Sequence, residues 1–302
     1  MRRITSGTFR MGSDRHYPEE APAHRVTVDS FWIDETPVTN GQFQRFVQAT
    51  GHRTSAEIPP DPREYPGALP HMLYAGSLVF VPPREPVDLR IWSQWWRLLR
   101  GADWRHPYGP DSSIEGLDDH PVVHVAYADA EAFAAWAGKA LPSEAEWEFA
   151  ARGGLDGAEF AWGDEFAPGG RRMANTWEGD FPHRNTSRAF RRTSPVGAFP
   201  PNGYGLFDMI GNVWEWTSDW YASRHPNDAP KACCIPRNPR GGREADSRDP
   251  RSGILCKVVK GGSHLCAPNY CRRYRPAARH TQPVDTSMSH VGFRCIVRED
   301  LP

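Results

Sequence analysis

Prolines and glycines occupy 29 and 27 positions of this 302-residue chain, nearly one residue in five. Proline removes a backbone donor, and glycine weakens helices and strands by its entropy. Long regular elements do not survive at that density. Disorder is no better an answer, because disordered chains are poor in aromatics. Here 12 tryptophans, 9 tyrosines and 14 phenylalanines offer the large apolar surfaces a core needs. The expectation is a loop-rich fold held by aromatic anchors.

Charge and hydropathy remove several function classes. Lys+Arg 36 against Asp+Glu 37 gives a net charge of -1, so no global basic field exists for nucleic acid. No apolar run approaches the roughly 18 residues of a membrane span. The two arginines after Met1 are followed by no apolar stretch, so a secretory signal is not expected. The expected compartment is the cytoplasm, where thiols stay reduced. The six cysteines (Cys233, Cys234, Cys256, Cys266, Cys271 and Cys295) all lie late in the chain. They cannot staple the 232 residues before them.

Helix signals are few. Thr39 with Gln42 forms a capping box, Phe43, Phe46 and Val47 follow at helical spacing, and Gly51 stops the helix. Asp129 is the expected cap of a second helix carrying Phe133, Trp136 and Ala137. Ser143 with Glu146 opens a third, ended by Gly153 and Gly154. Short strands are expected at Arg25–Asp29, Val122–Val125, Lys257–Val259 and Phe293–Val297. Ile58–Pro86 and Lys231–Ser252 read as long surface loops. No internal repeat or linker divides the chain, so one domain over residues 1–302 is expected.

The chemically suggestive segment is Lys260–Arg275. Cys266 and Cys271 are separated by four residues, and Pro268-Asn269 favours a turn that brings them together. Arg272, Arg273, Arg275 and Arg279 put positive charge nearby, which favours thiolate. Paired thiolates suit copper(I) or zinc. Structural zinc wants a second Cys or His pair, and only His264 is near. A redox-active disulfide and two inert buried thiols also fit the spacing.

Longer motifs carry a resemblance. They run from Gly7-Thr8-Phe9-Arg10-Met11-Gly12-Ser13 through Ile33–Asn40, His120–Val125 and Leu141–Glu148 to Pro201–Trp216, Gly261-Gly262-Ser263 and Gly292-Phe293-Arg294-Cys295. The chain resembles the formylglycine-generating enzymes, or sulfatase-modifying factors, almost from end to end. Most of these motifs mark a wider superfamily, whereas the paired cysteines after Gly-Gly-Ser mark its oxidase branch.

The resemblance implies an α+β fold with little regular secondary structure, related to C-type lectins. It implies an oxidoreductase that uses molecular oxygen and copper(I). The substrate would be a cysteine in a Cys-x-Pro-x-Arg segment of an unfolded sulfatase, converted to Cα-formylglycine. Cys266 and Cys271 would hold the copper(I), with Ser263, Tyr270 and Trp216 beside it. Structural calcium would sit on the carbonyls of Ile210, Gly211 and Val213 and the Glu215 carboxylate, an oxygen-only set. A second calcium would use Asn175 and Thr176. Its following loop, 185–192, has three arginines and no carboxylate, which argues against a cation there.

Some positions depart from the family pattern. Ala267-Pro268-Asn269-Tyr270 stands between the thiols, where relatives carry a histidine first and a serine before the tyrosine. Ala151 and Pro276 replace the disulfide partners of secretory relatives, so Cys295 is expected unpaired. Cys233, Cys234 and Cys256 match no family role. Two alternatives share the fold. One is a non-catalytic lectin-like binding module. The other is an iron-dependent sulfoxide synthase, whose helical, histidine-bearing domain would precede a fold motif that starts here at about Gly7.

Overall fold

A computed structural model describes residues 1–299. Its regular elements are short: strands β1 (Arg2–Ile4), β2 (Gly7–Met11), β3 (His24–Val28) and β4 (Phe31–Ile33), then helix α1 (Asn40–Thr50), β5 (Gly76–Phe80) and β6 (Trp96–Arg100). Helices α2 (Tyr127–Trp136) and α3 (Glu144–Arg152) precede β7 (Trp214–Trp220), β8 (Cys256–Lys260), β9 (Arg279–Pro283), β10 (Val291–Gly292) and β11 (Ile296–Arg298). A four-stranded sheet in the order β10-β7-β8-β9 is the largest, and a three-stranded sheet runs β1-β4-β11. Two hairpins, β2-β3 and β5-β6, complete the set.

Local chemistry explains the helices. Thr39 Oγ1 accepts from the Gln42 N–H while the Gln42 side chain accepts from the Thr39 N–H, so α1 starts as expected and ends at Gly51 with φ 69°. Ser143 and Glu146 do the same for α3. The second helix is displaced from its expected cap. Asp129 lies in the first turn of α2, and its carboxylate reaches back to the Ala126 N–H at 2.9 Å.

Among the expected strands, Arg25–Asp29 and Lys257–Val259 fall on β3 and β8. Of Phe293–Val297 only Ile296 and Val297 are strand, at the start of β11, while Phe293, Arg294 and Cys295 connect it to β10. Val122–Val125 is no strand. His124 has φ 60°, a left-handed kink, and its ring bonds Ser77 Oγ at 2.7 Å and the Pro107 carbonyl at 2.9 Å. Ile58–Pro86 is also more than a loop. It contains β5, whose Ser77 and Val79 turn inward with the alternation of a half-buried strand.

Most buried apolar side chains form one core centred on Trp104, Trp147, Trp216, Phe43, Phe133 and Phe293. A smaller cluster joins Trp95, Trp177, Phe181, Leu265 and Ala267. Beneath the four-stranded sheet runs a chain of buried ions. Glu144 pairs with Arg279 at 2.7 Å, Lys260 with Glu148 at 2.9 Å, and Glu148 with Arg152 at 2.7 Å. Burial alone would push the Glu144 carboxyl up, but Arg279 and Lys260 outweigh it and hold it at about 2. This network fixes α3 against the strands that carry the thiol segment.

Candidate active site

The β8 strand is followed by Gly261 and Gly262, both at positive φ, 91° and 71°. A Cβ on Gly262 would lie 2.8 Å from the Arg273 carbonyl, so glycine is what lets the chain fold back on itself. The turn delivers Ser263 and then Cys266. Its return is pinned by the Cys266 N–H donating to the Ser263 carbonyl at 2.9 Å and the Cys271 N–H to the Ala267 carbonyl at 2.9 Å. The two sulfurs end 3.0 Å apart. Both thiols are free, with no disulfide between them. Cys266 is buried, and Cys271 is partly buried.

Of the four arginines near the pair, one faces sulfur. Arg273 places Nη1 4.0 Å from Cys271 Sγ, held by Glu19 at 2.6 Å and lying over the Tyr17 ring at 3.8 Å. The others are spent elsewhere: Arg272 on Glu159, Arg275 on buried Glu20, and Arg279 on Glu144. The hydrogen bond from Cys266 and the Arg273 charge push the Cys271 thiol down, against the effect of burial. Burial and the same partner push Cys266 up. Of the two sulfurs, Cys271 is thus the one biased toward thiolate and Cys266 the one biased toward thiol.

A cleft of about 610 Å³ opens over the sulfurs. Trp92, Trp95, Phe181 and Tyr270 form much of its aromatic wall, and Ser263 and both cysteines line it. The Tyr270 ring stacks on Phe181 at 4.6 Å and meets the edge of Trp95 at 5.4 Å. Ser263 is fully buried and its Oγ accepts from the Leu265 N–H at 3.2 Å. Trp216 stands apart from these residues. It is buried in the main core, its indole N–H donates to the Val125 carbonyl at 3.0 Å, and Trp214 of the same strand lines the cleft instead. The aromatic wall was missed in the sequence, although Trp92, Trp95 and Trp96 within five residues were a signal for it.

The turn before β7 gathers the residues expected around calcium. The carbonyls of Ile210, Gly211 and Val213 accept no hydrogen bond among the described residues. Glu215 is committed elsewhere, with Arg294 on both carboxylate oxygens at 2.7 and 2.8 Å and the Trp147 indole at 2.7 Å. A second acid, Asp208, belongs to this turn, and burial pushes its carboxyl up to about 6. At Asn175 and Thr176 a guanidinium is close by. Arg172 donates to the Thr176 carbonyl at 2.9 Å, and the Asn175 side-chain amide donates to the Arg192 carbonyl at 2.8 Å.

A family model described as the sulfatase-modifying factor enzyme 1-like domain matches residues 1–299. The chain belongs to the sulfatase-modifying-factor family. Among curated relatives, the formylglycine-generating enzyme of Mycobacterium tuberculosis is 55% identical over 295 residues, covering 97% of this chain and 96% of that protein. The bovine formylglycine-generating enzyme is 43% identical over 296 residues, covering 97% of this chain and 73% of its own length. PvdO from Pseudomonas aeruginosa superposes with a TM-score of 0.64 at 24% identity, covering 98% of this chain and 93% of PvdO. That likeness concerns the fold alone. It agrees with the sparse helices and small sheets of the sulfatase-modifying-factor architecture.

Proposed function

We propose that this chain oxidises a cysteine of a sulfatase polypeptide to Cα-formylglycine, with molecular oxygen as acceptor. The carrying observation is a pair of free sulfurs 3.0 Å apart at the floor of an aromatic cleft. Two relatives similar over nearly the whole chain are named for formylglycine generation, which supports the same activity here. The two sulfurs are a soft donor set, so Cys266 and Cys271 would hold copper(I). When bound, copper(I) would supply a soft site for a third thiol and the redox partner for oxygen.

The chain's own residues account for the rest. The hydrogen bond from Cys266 and the Arg273 charge favour thiolate at Cys271, the form that ligates. Cys266, the thiol that burial pushes up, must lose its proton on ligation. Trp92, Trp95, Phe181 and Tyr270 offer flat apolar faces to an extended Cys-x-Pro-x-Arg segment and exclude water from its thiol. Proline packs well on such faces, whereas the thiol reaches the cleft floor. Ser263 sets the turn that aims Cys266.

Calcium is proposed as the structural ion of the turn before β7. The carbonyls of Ile210, Gly211 and Val213 would hold it. Its charge would compensate Asp208, while Glu215 stays with Arg294. The unbridged state of all six cysteines suits a reducing compartment, and we assign the protein to the cytoplasm on that ground. Among the described residues no helix is long and apolar enough to cross a membrane.

Aerobic incubation with a Cys-x-Pro-x-Arg peptide, with and without copper(I), tests the reading. The expected product is the formylglycine peptide by mass spectrometry, formed only with copper and lost in Cys266→Ser. Turnover undiminished in Cys266→Ser would overturn it.

A further inference from the structure

Outside the cleft, the segment Lys231–Asn238 presents the other notable sulfur pair. Cys233 and Cys234 are adjacent, both exposed, and their sulfurs lie 3.7 Å apart. They ride on a single turn closed by the Cys234 N–H donating to the Lys231 carbonyl at 3.0 Å. The chain just after them is fastened to β3. The Thr27 N–H donates to the Pro236 carbonyl at 2.9 Å, the Asn238 N–H to the Thr27 carbonyl at 2.7 Å, and Arg237 to Asp29 at 2.6 Å. No residue of this segment lines the cleft.

We propose that Cys233 and Cys234 form a second thiol site, on the surface, that binds one soft monovalent cation of the copper(I) type. Three considerations lead there. A disulfide is disfavoured, because adjacent α-carbons are about 3.8 Å apart and disulfides usually need roughly 4.4–6.8 Å. The thiols therefore remain available as ligands. A separation of 3.7 Å is within the span of one ion bonded to both sulfurs, since metal–sulfur bonds are about 2.3 Å long. Among the described residues no group of three His, Cys, Asp or Glu side chains could hold a metal, so a four-coordinate zinc site is not completed here. Two sulfurs alone suit a soft ion content with low coordination.

Binding is a ligand exchange with no change of oxidation state. Two S–H bonds break, two metal–sulfur bonds form, and two protons leave for solvent. This site stands independently of the cleft pair.

Anaerobic titration with copper(I) against a colorimetric chelator distinguishes the two sites. The expected stoichiometry is two ions per chain for the unaltered protein and one each for Cys266→Ser/Cys271→Ser and Cys233→Ser/Cys234→Ser. The proposal is overturned if Cys233→Ser/Cys234→Ser binds as much copper as the unaltered protein. It is equally overturned if folded Cys266→Ser/Cys271→Ser binds none. The first comparison keeps the test decisive even where loss of the buried pair unfolds the chain. Failure of the cleft reading has a different signature: Cys233→Ser/Cys234→Ser then binds no copper at all.

Discussion

Arg273 offers a test in which the sign matters as much as the size. Its guanidinium nitrogen lies 4.0 Å from Cys271 Sγ, and its other partner, Glu19, lies 2.6 Å away. Two unit charges 4 Å apart interact by about 4 kcal/mol at an effective dielectric near 20. At about 1.36 kcal/mol per pKa unit this corresponds to roughly 3 units. The Glu19 carboxylate offsets a part of it, leaving about 1–2 units for Arg273→Met. The expected change is upward, so Cys271 becomes a thiol at neutral pH. Glu19→Gln removes the offsetting charge and moves the same thiol downward. The measurement is the pH dependence of Cys271 alkylation, resolved by peptide mapping, in a Cys266→Ser background without metal. Mere damage to the fold would not shift the two variants in opposite directions. If both move the same way, or neither moves, the electrostatic argument is refuted.

Other consequences follow from the same geometry. Glu144→Gln strips Arg279 and Lys260 of a buried partner and is expected to cost about 3–5 kcal/mol in urea unfolding. Because Glu144 is held at about 2 in the fold, its contribution is fully present above its ordinary range near 4.3 and is lost as pH falls through about 2. Trp216→Phe loses one buried hydrogen bond and leaves a cavity in the main core, so stability is expected to fall by about 2–4 kcal/mol while the peptide KM stays unchanged. Tyr270→Ala removes a ring stacked at 4.6 Å from the cleft wall, and its expected signature is a higher peptide KM. Calcium is expected to raise the thermal midpoint in chelator-treated protein through one site per chain, measured by calorimetry with calcium titration. Asp208→Ala is expected to abolish that rise.

What could be read from the sequence was mostly local. The boxes at Thr39 and Ser143 fixed two helix starts, because cap and reciprocal partner lie three residues apart. Asp129 was the right acid in the wrong place, since a carboxylate inside the first turn can serve an N-terminal N–H as well as a capping one. The strand expected at Val122–Val125 failed on His124, whose left-handed backbone is set by distant Ser77 and Pro107 rather than by its apolar neighbours. In the site, Ser263, Cys266, Tyr270 and Cys271 were legible because one short segment holds them all. The wall was not, since Trp95 and Phe181 come from segments far away in sequence. Nor does a run of four arginines say which one will face sulfur. That choice depends on Glu19, Glu20 and Glu144 capturing their own partners.

Those captures have a consequence for the order of assembly. The carboxylates that orient Arg273 and Arg275 stand 254 and 255 residues earlier in the chain. During synthesis Glu19 and Glu20 wait, unpartnered, until nearly all of the protein has been made. Loop closure over such a distance comes late and lengthens the search. A chain cut short before residue 273 lacks the cation that activates its thiol, and one cut before 266 lacks the thiols of the cleft altogether. The cleft thiols and the cation beside them are therefore late arrivals in this chain, and a chain cut short before them carries no finished cleft in which to engage an unfolded neighbour.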